Sequence, residues 1–435
     1  MVTAMLMVVS CSMFAADAEP AIPRFNDGRD WFFEKRFGLF VHWGLYAIPA
    51  WHEQHPYRLH VPREEYEKLI HQFNPVKFNP DAWLDLAEKA GMSYLCITTK
   101  HIEGFCLWNT AQTSYNVMNT PYGKDILAQL AEACHRRNFP LCLYYSVVDM
   151  HHPNYPNEGR SYEYEKPAPG DQPDLSKYLA FLRAQVTELC TNYSAIHGFW
   201  WDGNVVKYQD PSYNALIRSL QPQAVINNRG FDAGDFSTPE RDWNDEVNQQ
   251  LAFTKPTEAC QAIGRQSWGY RAEEDYYSDE HLIRSIDKIL AKGGNYLLNV
   301  GPMADGTMPP EGVRILEKIG AWYNAVKESF DGAPASHLVK NREILLTRKG
   351  NTLYVHLNQS PQTCAVYMHP FNVKPKTAVL LNDGRNVETR VDLLPWDHEN
   401  GKPVLRLYNL PVNDFSDTVI VVKLEFDDPV PWAGK

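Results

Sequence analysis

The chain has 435 residues and a formal net charge of -11 at pH 7. Its basic residues form no run longer than a pair such as Arg136-Arg137, so we expect no nucleic-acid partner, because such proteins present concentrated basic patches. The length suits an α/β barrel of roughly 250 residues or more together with a smaller second domain.

The first eighteen residues, 1–18, are predicted to be a secretory signal peptide. Residues 4–16 are largely apolar, and Ala16-Asp17-Ala18 has the small-x-small form of a cleavage site. The run is too short to cross a membrane stably. Val8-Val9-Ser10-Cys11 also resembles a lipoprotein signal, whose Cys11 would carry the lipid. We therefore expect an exported, periplasmic or extracellular protein, with a lipid anchor at Cys11 as the alternative.

Residues 19–335 alternate short apolar runs with amphipathic segments. Strands are predicted near Phe37, Tyr94, Leu141, His197, Ala224, Cys260 and Asn295. Helices are predicted over 80–90, 123–137, 175–193, 212–220, 280–292 and 311–329. Repeated βα units build a parallel sheet, and seven or eight of them predict a (β/α)8-like barrel of the TIM type. The Pro-rich stretch 152–170 follows the third strand and is long enough to help build a substrate cleft.

Residues 336–435 show a different pattern. Short alternating strands such as 352–357 and 418–424 are separated by turn signals, including Asn382-Asp383-Gly384. This pattern predicts a C-terminal β-sandwich of about 100 residues.

Polar residues follow three of the predicted barrel strands at the point where each strand ends. His42, His101 and Asp202 occupy such positions, and Asp202 follows two tryptophans. In parallel α/β barrels these strand ends face the active site. An unpaired buried carboxylate costs several kcal/mol, so Asp202 needs a reason to be there. The alternatives are a functional carboxylate and a structural Asp that caps the turn before Gly203.

Three motifs in this order, Val41-His42-Trp43-Gly44, the stretch 98–105 and Trp200-Trp201-Asp202-Gly203, resemble the retaining α-L-fucosidases of glycoside hydrolase family 29. Stretches such as Ser267-Trp268-Gly269-Tyr270 strengthen the match, which runs over about residues 31–322. The resemblance implies a barrel followed by a β-sandwich. It also implies an exo-enzyme that cleaves fucosylated oligosaccharides or glycans through a glycosyl-aspartate intermediate, without a cofactor.

The resemblance also implies the catalytic roles. A retaining enzyme uses two carboxylates about 5 to 5.5 Å apart, a nucleophile and an acid/base. Asp202 matches the family's nucleophile. Glu258 matches the position of an acid/base in the family's Trp-Glu-x-Cys, although Thr257 stands here in place of the Trp. The rival acids in the same region are Glu273, Glu246 and Asp235.

The residues that the resemblance assigns to sugar binding are His42, Trp43, His101, Tyr145, Trp200 and Arg229. The family's acidic residue in the loop after the first strand has no clean counterpart here, and Glu53 is our candidate for it. Ile102 departs from the family's second His, so we expect Gln54, His55 or His60 to reach the pocket instead. Two alternatives stay open: a related glycosidase acting on another sugar such as L-galactose, and a non-catalytic carbohydrate-binding protein on a degenerate hydrolase scaffold.

The cysteines and histidines give no sign of a structural or catalytic metal. The seven cysteines after Cys11 form no C-x-x-C pair and no zinc-like spacing. The neighbours His151 and His152 would point to opposite sides of an extended strand. We therefore expect neither a bound metal nor an obligatory disulfide framework.

Overall fold

The computed structural model describes residues 22–241, 250–339, 343–396 and 401–428. The predicted signal peptide with Cys11 and the candidate acid Glu246 lie outside the described residues. Within those ranges, no helix combines the length and the apolar character that a membrane span requires.

Seven parallel strands form one sheet in the order β5-β4-β3-β2-β1-β7-β6. Their bounds are β1 Phe37–Val41, β2 Leu95–Lys100, β3 Leu141–Ser146, β4 Gly198–Asp202, β5 Val225–Ile226, β6 Glu258–Ala262 and β7 Asn295–Val300. These strands lie where the sequence predicted them. Six of the seven are buried along their whole length and β4 is buried up to its last residue, as expected for strands covered on both faces.

The helices among the described residues are α1 Trp31–Glu34, α2 His55–Arg58, α3 Arg63–Glu67, α4 Pro80–Lys89, α5 Ile126–Arg136, α6 Leu175–Thr191, α7 Ser212–Leu220, α8 Asp279–Ala291 and α9 Pro310–Val326. The six longest correspond to the predicted helices. Helix α5 begins at Ile126 instead of the predicted residue 123, because the Asp125 side chain caps it by accepting a hydrogen bond from the Ala128 amide at 2.8 Å.

The sheet curls around a shared interior. One buried cluster takes a side chain from every strand and adds Phe236 from the chain between β5 and β6. Its strand members are Phe40, Cys96, Cys142, Tyr144, Trp200, Val225, Cys260 and Leu297. Isolated parallel bridges join Phe236 to Asn227, just after β5, and join Ser237 and Glu240 to Thr257 and Cys260 on the β6 side. Segment 236–240 therefore runs between the two edge strands of the sheet.

The C-terminal part contains two antiparallel sheets, ordered β11-β14-β9-β8 and β10-β13-β12. The strands are β8 Leu345–Lys349, β9 Thr352–Leu357, β10 Ala365–Met368, β11 Thr377–Leu380, β12 Glu388–Asp392, β13 Val404–Tyr408 and β14 Ile420–Glu425. Apolar side chains from both sheets share one core, as in a face-to-face sandwich. Its contacts with the helices include a hydrogen bond from the Trp322 indole to the Val419 carbonyl and a buried pair between His356 and Asp287 at 2.7 Å.

Candidate active site

A pocket of about 550 Å³, counted to include its open mouth, lies at the carboxyl ends of the parallel strands. It is lined by Phe40, His42, Glu53, Gln54, His101, Ile102, Tyr144, Tyr162, Trp200, Asp202, Gly203, Arg229, Glu240, Cys260 and Trp268. This is the end of the sheet where the strand-end polar residues predicted a site. Tyr162 comes from the Pro-rich stretch, which therefore contributes to the cleft as expected.

Asp202 is the last residue of β4 and faces the pocket with its side chain one-third exposed (33%). The chain leaves the strand at Gly203, whose φ of 67° lies in the left-handed region that glycine adopts without strain. The Tyr144 hydroxyl donates to one carboxylate oxygen at 2.9 Å, and the Arg229 guanidinium donates to the other at 3.3 Å. Asp202 is thus fixed in orientation while remaining open to a ligand.

Glu240 is a second carboxylate at the same pocket. The nitrogen of Arg229 that binds Asp202 also donates to Glu240, at 3.1 Å. Because one nitrogen contacts both groups, the two bonded oxygens lie no more than about 6.5 Å apart, a range that includes the spacing of a retaining glycosidase. Arg229 is itself held by the hydroxyl and carbonyl oxygens of Thr238 at 2.7 and 3.0 Å. The structure therefore brings together a pair of carboxylates, but not the predicted pair.

Glu258, which the sequence predicted to be the acid/base, does not line the pocket. It is the first residue of β6 and so lies toward the amino end of the sheet, below Cys260 of the same strand. Its oxygens accept hydrogen bonds from the Tyr94 hydroxyl at 2.6 Å and the Trp200 indole at 3.0 Å. Burial raises the pKa of Glu258 to about 7, against the lowering effect of both hydrogen bonds. That pKa suits an acid, but a general acid must first be within reach of the substrate.

Of the three rival acids, the two that the structure describes, Asp235 and Glu273, do not line the pocket. Asp235 is bound to Arg29 and Arg218, both at 2.6 Å, in the segment after β5. Glu273 is exposed and does not line the pocket. Glu246 lies outside the described residues.

His42 follows β1 and presents a hydrogen-bond acceptor to the pocket. The side-chain amide of Asn299 donates to the Trp268 carbonyl at 2.6 Å, so the amide oxygen faces His42 Nδ1, 2.7 Å away. This arrangement places the imidazole proton on Nδ1 and leaves the lone pair on Nε2. Burial lowers the pKa of His42 to about 3, so the ring is neutral at physiological pH.

His101 follows β2, and its pKa moves in the opposite direction from that of His42. Its Nδ1 lies 3.6 Å from a carboxylate oxygen of the buried Glu103. Burial works to lower the pKa of His101, but the carboxylates of Glu103, Glu53 and Asp202 outweigh it and raise the pKa above the usual value. A protonated imidazole donates from both nitrogens, so His101 is suited to donate where His42 accepts.

Glu53 lines the pocket with one free oxygen. Its Oε2 accepts from the Ser267 hydroxyl at 2.8 Å and from the Trp268 amide at 2.9 Å. Its Oε1 is buried and has no hydrogen-bond partner among the described residues. A buried acceptor without a partner is costly, so this oxygen is a natural contact for a ligand hydroxyl.

Aromatic rings form the wall and floor of the pocket. Trp200 stacks on Tyr144 with centroids 5.7 Å apart, and the Arg229 guanidinium lies 4.8 Å from the Trp200 ring centre. Phe40 and Trp268 complete the apolar wall beside His42. Among the wall and floor residues Trp200, Tyr144, Arg229, Phe40 and Trp268, only Trp200 and Arg229 were predicted to bind the sugar. The Ser-Trp-Gly-Tyr motif marked Trp268, but the motif alone did not tell which of its side chains faces the site.

Two predicted sugar-binding residues lie elsewhere. The Tyr145 hydroxyl donates to Gln185 of helix α6 at 2.7 Å, so its ring is on the opposite face of β3 from Tyr144. The Trp43 indole donates to the Met303 carbonyl at 3.1 Å, and its ring packs on Trp83 in the core. Side chains alternate along a strand, which places Tyr144 and not Tyr145 on the pocket side.

Ile102 lines the pocket, and of the three residues expected to compensate for it only Gln54 does so. The Gln54 side-chain oxygen accepts from Arg58 at 2.9 Å. His55 is half-buried between the rings of Trp51 and Tyr66. His60 borders a separate groove.

The cysteines and potential metal ligands of the described ranges are dispersed. Six of the seven cysteines there are buried, among them Cys260 at the pocket wall, and all seven have free thiols. Across the same ranges no three His, Cys, Asp or Glu side chains converge in a way that suits a metal ion.

Comparison with known sequences fits this geometry. A sequence model described as alpha-L-fucosidase matches residues 15–328, well over half of the chain. The chain belongs to the alpha-L-fucosidase family. This is glycoside hydrolase family 29, and the chain is accordingly an α-L-fucosidase. The tissue alpha-L-fucosidase of Bos taurus is 26% identical over 76% of this chain and 75% of its own length.

Solved α-L-fucosidase structures share the fold. The alpha-L-fucosidase isoenzyme 1 from Paenibacillus thiaminolyticus is 34% identical, covers 92% of this chain and 99% of its own, and superposes with a TM-score of 0.81. An alpha-L-fucosidase from Bacteroides thetaiotaomicron, 28% identical over 94% of this chain and 98% of its own, superposes with a TM-score of 0.78. That structure is a trapped covalent intermediate in complex with 2-fluoro-fucosyl fluoride, obtained with a glutamate-to-glutamine mutant.

The position of Glu258 in this α-L-fucosidase makes stability depend on pH. Its folded-state pKa is about 7 against a usual value of 4.5, so stability is full below pH 4.5 and is lost as pH rises through 7. The loss amounts to about 3 kcal/mol at most for a shift of this size. Glu258→Gln does not titrate: its amide oxygen still accepts from the Trp200 indole, and its amide nitrogen donates to the Tyr94 hydroxyl, which reverses the direction of that hydrogen bond. In urea unfolding at pH 5 and pH 8, the wild type should lose about 2 kcal/mol more than Glu258→Gln, because part of the total loss has already occurred at pH 5. The same loss in both proteins would contradict the buried titration.

Proposed function

We propose that the chain is a retaining exo-α-L-fucosidase in which Asp202 is the nucleophile and Glu240 the acid/base. The observation that carries the proposal is the single Arg229 nitrogen that binds both carboxylates at the mouth of one pocket. The covalent intermediate trapped in the Bacteroides thetaiotaomicron relative with a glutamate mutant supports a covalent route in which a glutamate assists the chemistry.

The reaction proceeds in two displacements. An Asp202 oxygen attacks the anomeric carbon of the fucosyl residue while the bond to the glycosidic oxygen breaks, and Glu240 gives its proton to that leaving oxygen. A water then loses a proton to the Glu240 carboxylate and attacks the same carbon, which releases Asp202. Two inversions give fucose of the α configuration. Arg229 keeps both carboxylates aligned through the sequence.

Three side chains of the pocket can form hydrogen bonds with the sugar hydroxyls. His42 and Glu53 each offer an acceptor, and His101 offers a donor. The wall of Phe40 and Trp268 suits the methyl group that distinguishes fucose. The Trp200 ring closes the inner end of the pocket, below the sugar. Its indole N–H donates a hydrogen bond to the buried Glu258, which fixes the ring in that position. A pocket closed at its inner end takes a terminal residue, which supports exo-cleavage.

We also propose that segment 236–240 takes the eighth position of the barrel. Its parallel bridges to residues beside β5 and on β6 support this, as does the inward position of Phe236 in the buried interior. In that arrangement Glu240 stands at the carboxyl end of the eighth strand position, which lies beyond β5 and two positions from Asp202 on β4. Catalytic groups of such barrels come from the ends of different strands.

The activity is tested by turnover of an aryl α-L-fucoside, followed by proton NMR of the first fucose formed. We expect α-L-fucose to appear first and to mutarotate later. Formation of the β anomer first would contradict a retaining route.

The matching L-galactoside, assayed for the wild type and Ile102→His, measures how far Ile102 determines sugar choice. Of the two alternatives, the non-catalytic protein is disfavoured because both carboxylates are in place.

A further inference from the structure

We propose that Tyr162 and Tyr57 form an aromatic platform that binds the sugar residue to which the fucose is attached. This inference rests on the proposed function, because it takes the fucosyl residue to occupy the pocket beside Asp202. The ligand is the pyranose on the leaving-group side of a fucosylated oligosaccharide. The platform would make the enzyme prefer such oligosaccharides over fucosides with a minimal leaving group.

Tyr162 is held in a backbone conformation that a bulky side chain rarely adopts. The Glu163 amide donates to the Arg160 carbonyl at 3.1 Å, which closes a four-residue turn with Tyr162 at its third position. The φ of Tyr162 is 70°, in the left-handed region where glycine or asparagine is the usual choice. Such conformations persist where the surroundings enforce them, and they concentrate at functional sites.

The neighbouring Glu163 enforces this turn from inside the loop. Its side chain is fully buried and accepts from the backbone amides of Glu158 and Arg160, both at 3.1 Å. The Arg160 guanidinium donates to it at 2.9 Å, and the Tyr155 hydroxyl donates at 2.5 Å. These contacts make the turn a rigid support, so the outward direction of the Tyr162 ring is set before any ligand arrives.

The Tyr162 ring stands at the rim of the pocket. It lines the pocket together with Asp202 and Glu240, yet 38% of the residue is exposed to solvent. Burial and the charges of these two carboxylates raise the pKa of Tyr162, which places its hydroxyl in their field. Because Glu240 must reach the glycosidic oxygen, the leaving sugar emerges beside Glu240 and so beside this ring.

Tyr57 extends the aromatic surface away from the pocket. Its ring centre lies 5.9 Å from that of Tyr162 with 60° between the planes, and it does not line the fucose pocket. Tyr57 instead borders a groove of about 1250 Å³, counted with its open side, together with Tyr164, Arg63 and Lys166. The C–H faces of a pyranose pack on aromatic rings, and the groove offers polar partners for the next residue.

The test compares two substrates that share the fucosyl residue. In α-L-fucosyl fluoride the leaving group is one atom and cannot touch the platform, whereas a fucosylated trisaccharide covers it. Tyr162→Gly removes the ring and suits a φ of 70°, so the turn is kept. We expect the ratio of kcat/KM for trisaccharide over fluoride to fall about tenfold in Tyr162→Gly, mainly through KM; a tenfold change corresponds to about 1.4 kcal/mol, near the upper end of what an aromatic contact contributes.

Two further variants sharpen the result. Tyr162→Phe keeps the ring and should keep the ratio within about twofold of the wild type, and Tyr57→Ala should lower it in the same direction as Tyr162→Gly but by less. An unchanged ratio in Tyr162→Gly, or equal losses on both substrates, would overturn the platform while the proposed function stands. A wild type that cleaves neither substrate would overturn the proposed function and this inference with it.

Discussion

Replacing Asp202 by Gly is expected to lower kcat/KM on an aryl α-L-fucoside by about 10⁴-fold or more, because no other group attacks the anomeric carbon in the first displacement. The carboxylate accepts hydrogen bonds from Tyr144 and Arg229, and both donors stay in place when the side chain is removed. The loss should therefore appear in kcat, with the folded state retained. Steady-state kinetics and a thermal melt of the same preparation measure both.

Added azide should restore part of the rate of Asp202→Gly. The small anion enters the space that the carboxylate leaves and attacks from the same face, so one inversion gives β-L-fucosyl azide. Tyr144→Phe is the matched control: it removes one donor to Asp202 but keeps the nucleophile, so it should lose activity without azide rescue. Near-normal turnover by Asp202→Gly would end the assignment of the nucleophile.

Replacing Glu240 by Ala is expected to separate natural from activated substrates. A sugar leaving group needs a proton, so kcat/KM on a fucosylated oligosaccharide should fall about 10²- to 10⁴-fold. An aryl fucoside with an acidic phenol leaves unaided, so its first step should be affected far less. Azide should then attack the accumulated glycosyl-enzyme and give α-L-fucosyl azide, the retained product. The azide anomer thus distinguishes the Glu240 variant from the Asp202 variant.

Glu258→Gln is the control for Glu240→Ala. Glu258 is buried behind Trp200, and Gln can still hydrogen-bond both neighbours when the Tyr94 hydroxyl accepts instead of donates, so kcat/KM should stay within about threefold on both substrates. Loss of oligosaccharide cleavage in Glu258→Gln, with the Glu240 variant unaffected, would return the role to Glu258. If neither variant separates the substrates, the role passes to a carboxylate of the chain after Glu240, and Glu246→Gln tests the candidate there.

Polar residues that follow predicted strands located most of the pocket from the sequence. His42, His101 and Asp202 each follow an apolar run, and the carboxyl ends of parallel strands meet at one edge, so these three lie around one pocket. Tyr145 shows the limit of that inference. A strand fixes side-chain direction with a period of two, and an error of one residue exchanges the pocket face for the helix face.

Glu258 shows a second limit of prediction from sequence: a motif does not tell how far along its strand a residue lies. Its neighbours in sequence matched a family motif, but it begins β6, whereas pocket residues of the sheet lie further along their strands, as Cys260 does on β6. Glu240 pairs with Cys260 by an isolated bridge across the sheet edge. No periodic pattern marks a segment held by isolated bridges, so its place was found only in the folded chain.

The most direct measurement of the central claim is labelling of the wild-type protein with 2-fluoro-fucosyl fluoride, followed by peptide mass mapping. The electronegative fluorine slows the second displacement, so the glycosyl-enzyme should accumulate. We expect one fluorofucosyl group per chain, attached to Asp202 in the peptide that contains Trp200 and Trp201. A label on any other residue, or turnover of the reagent with no label on the protein, would contradict Asp202 as the nucleophile of a covalent, retaining α-L-fucosidase.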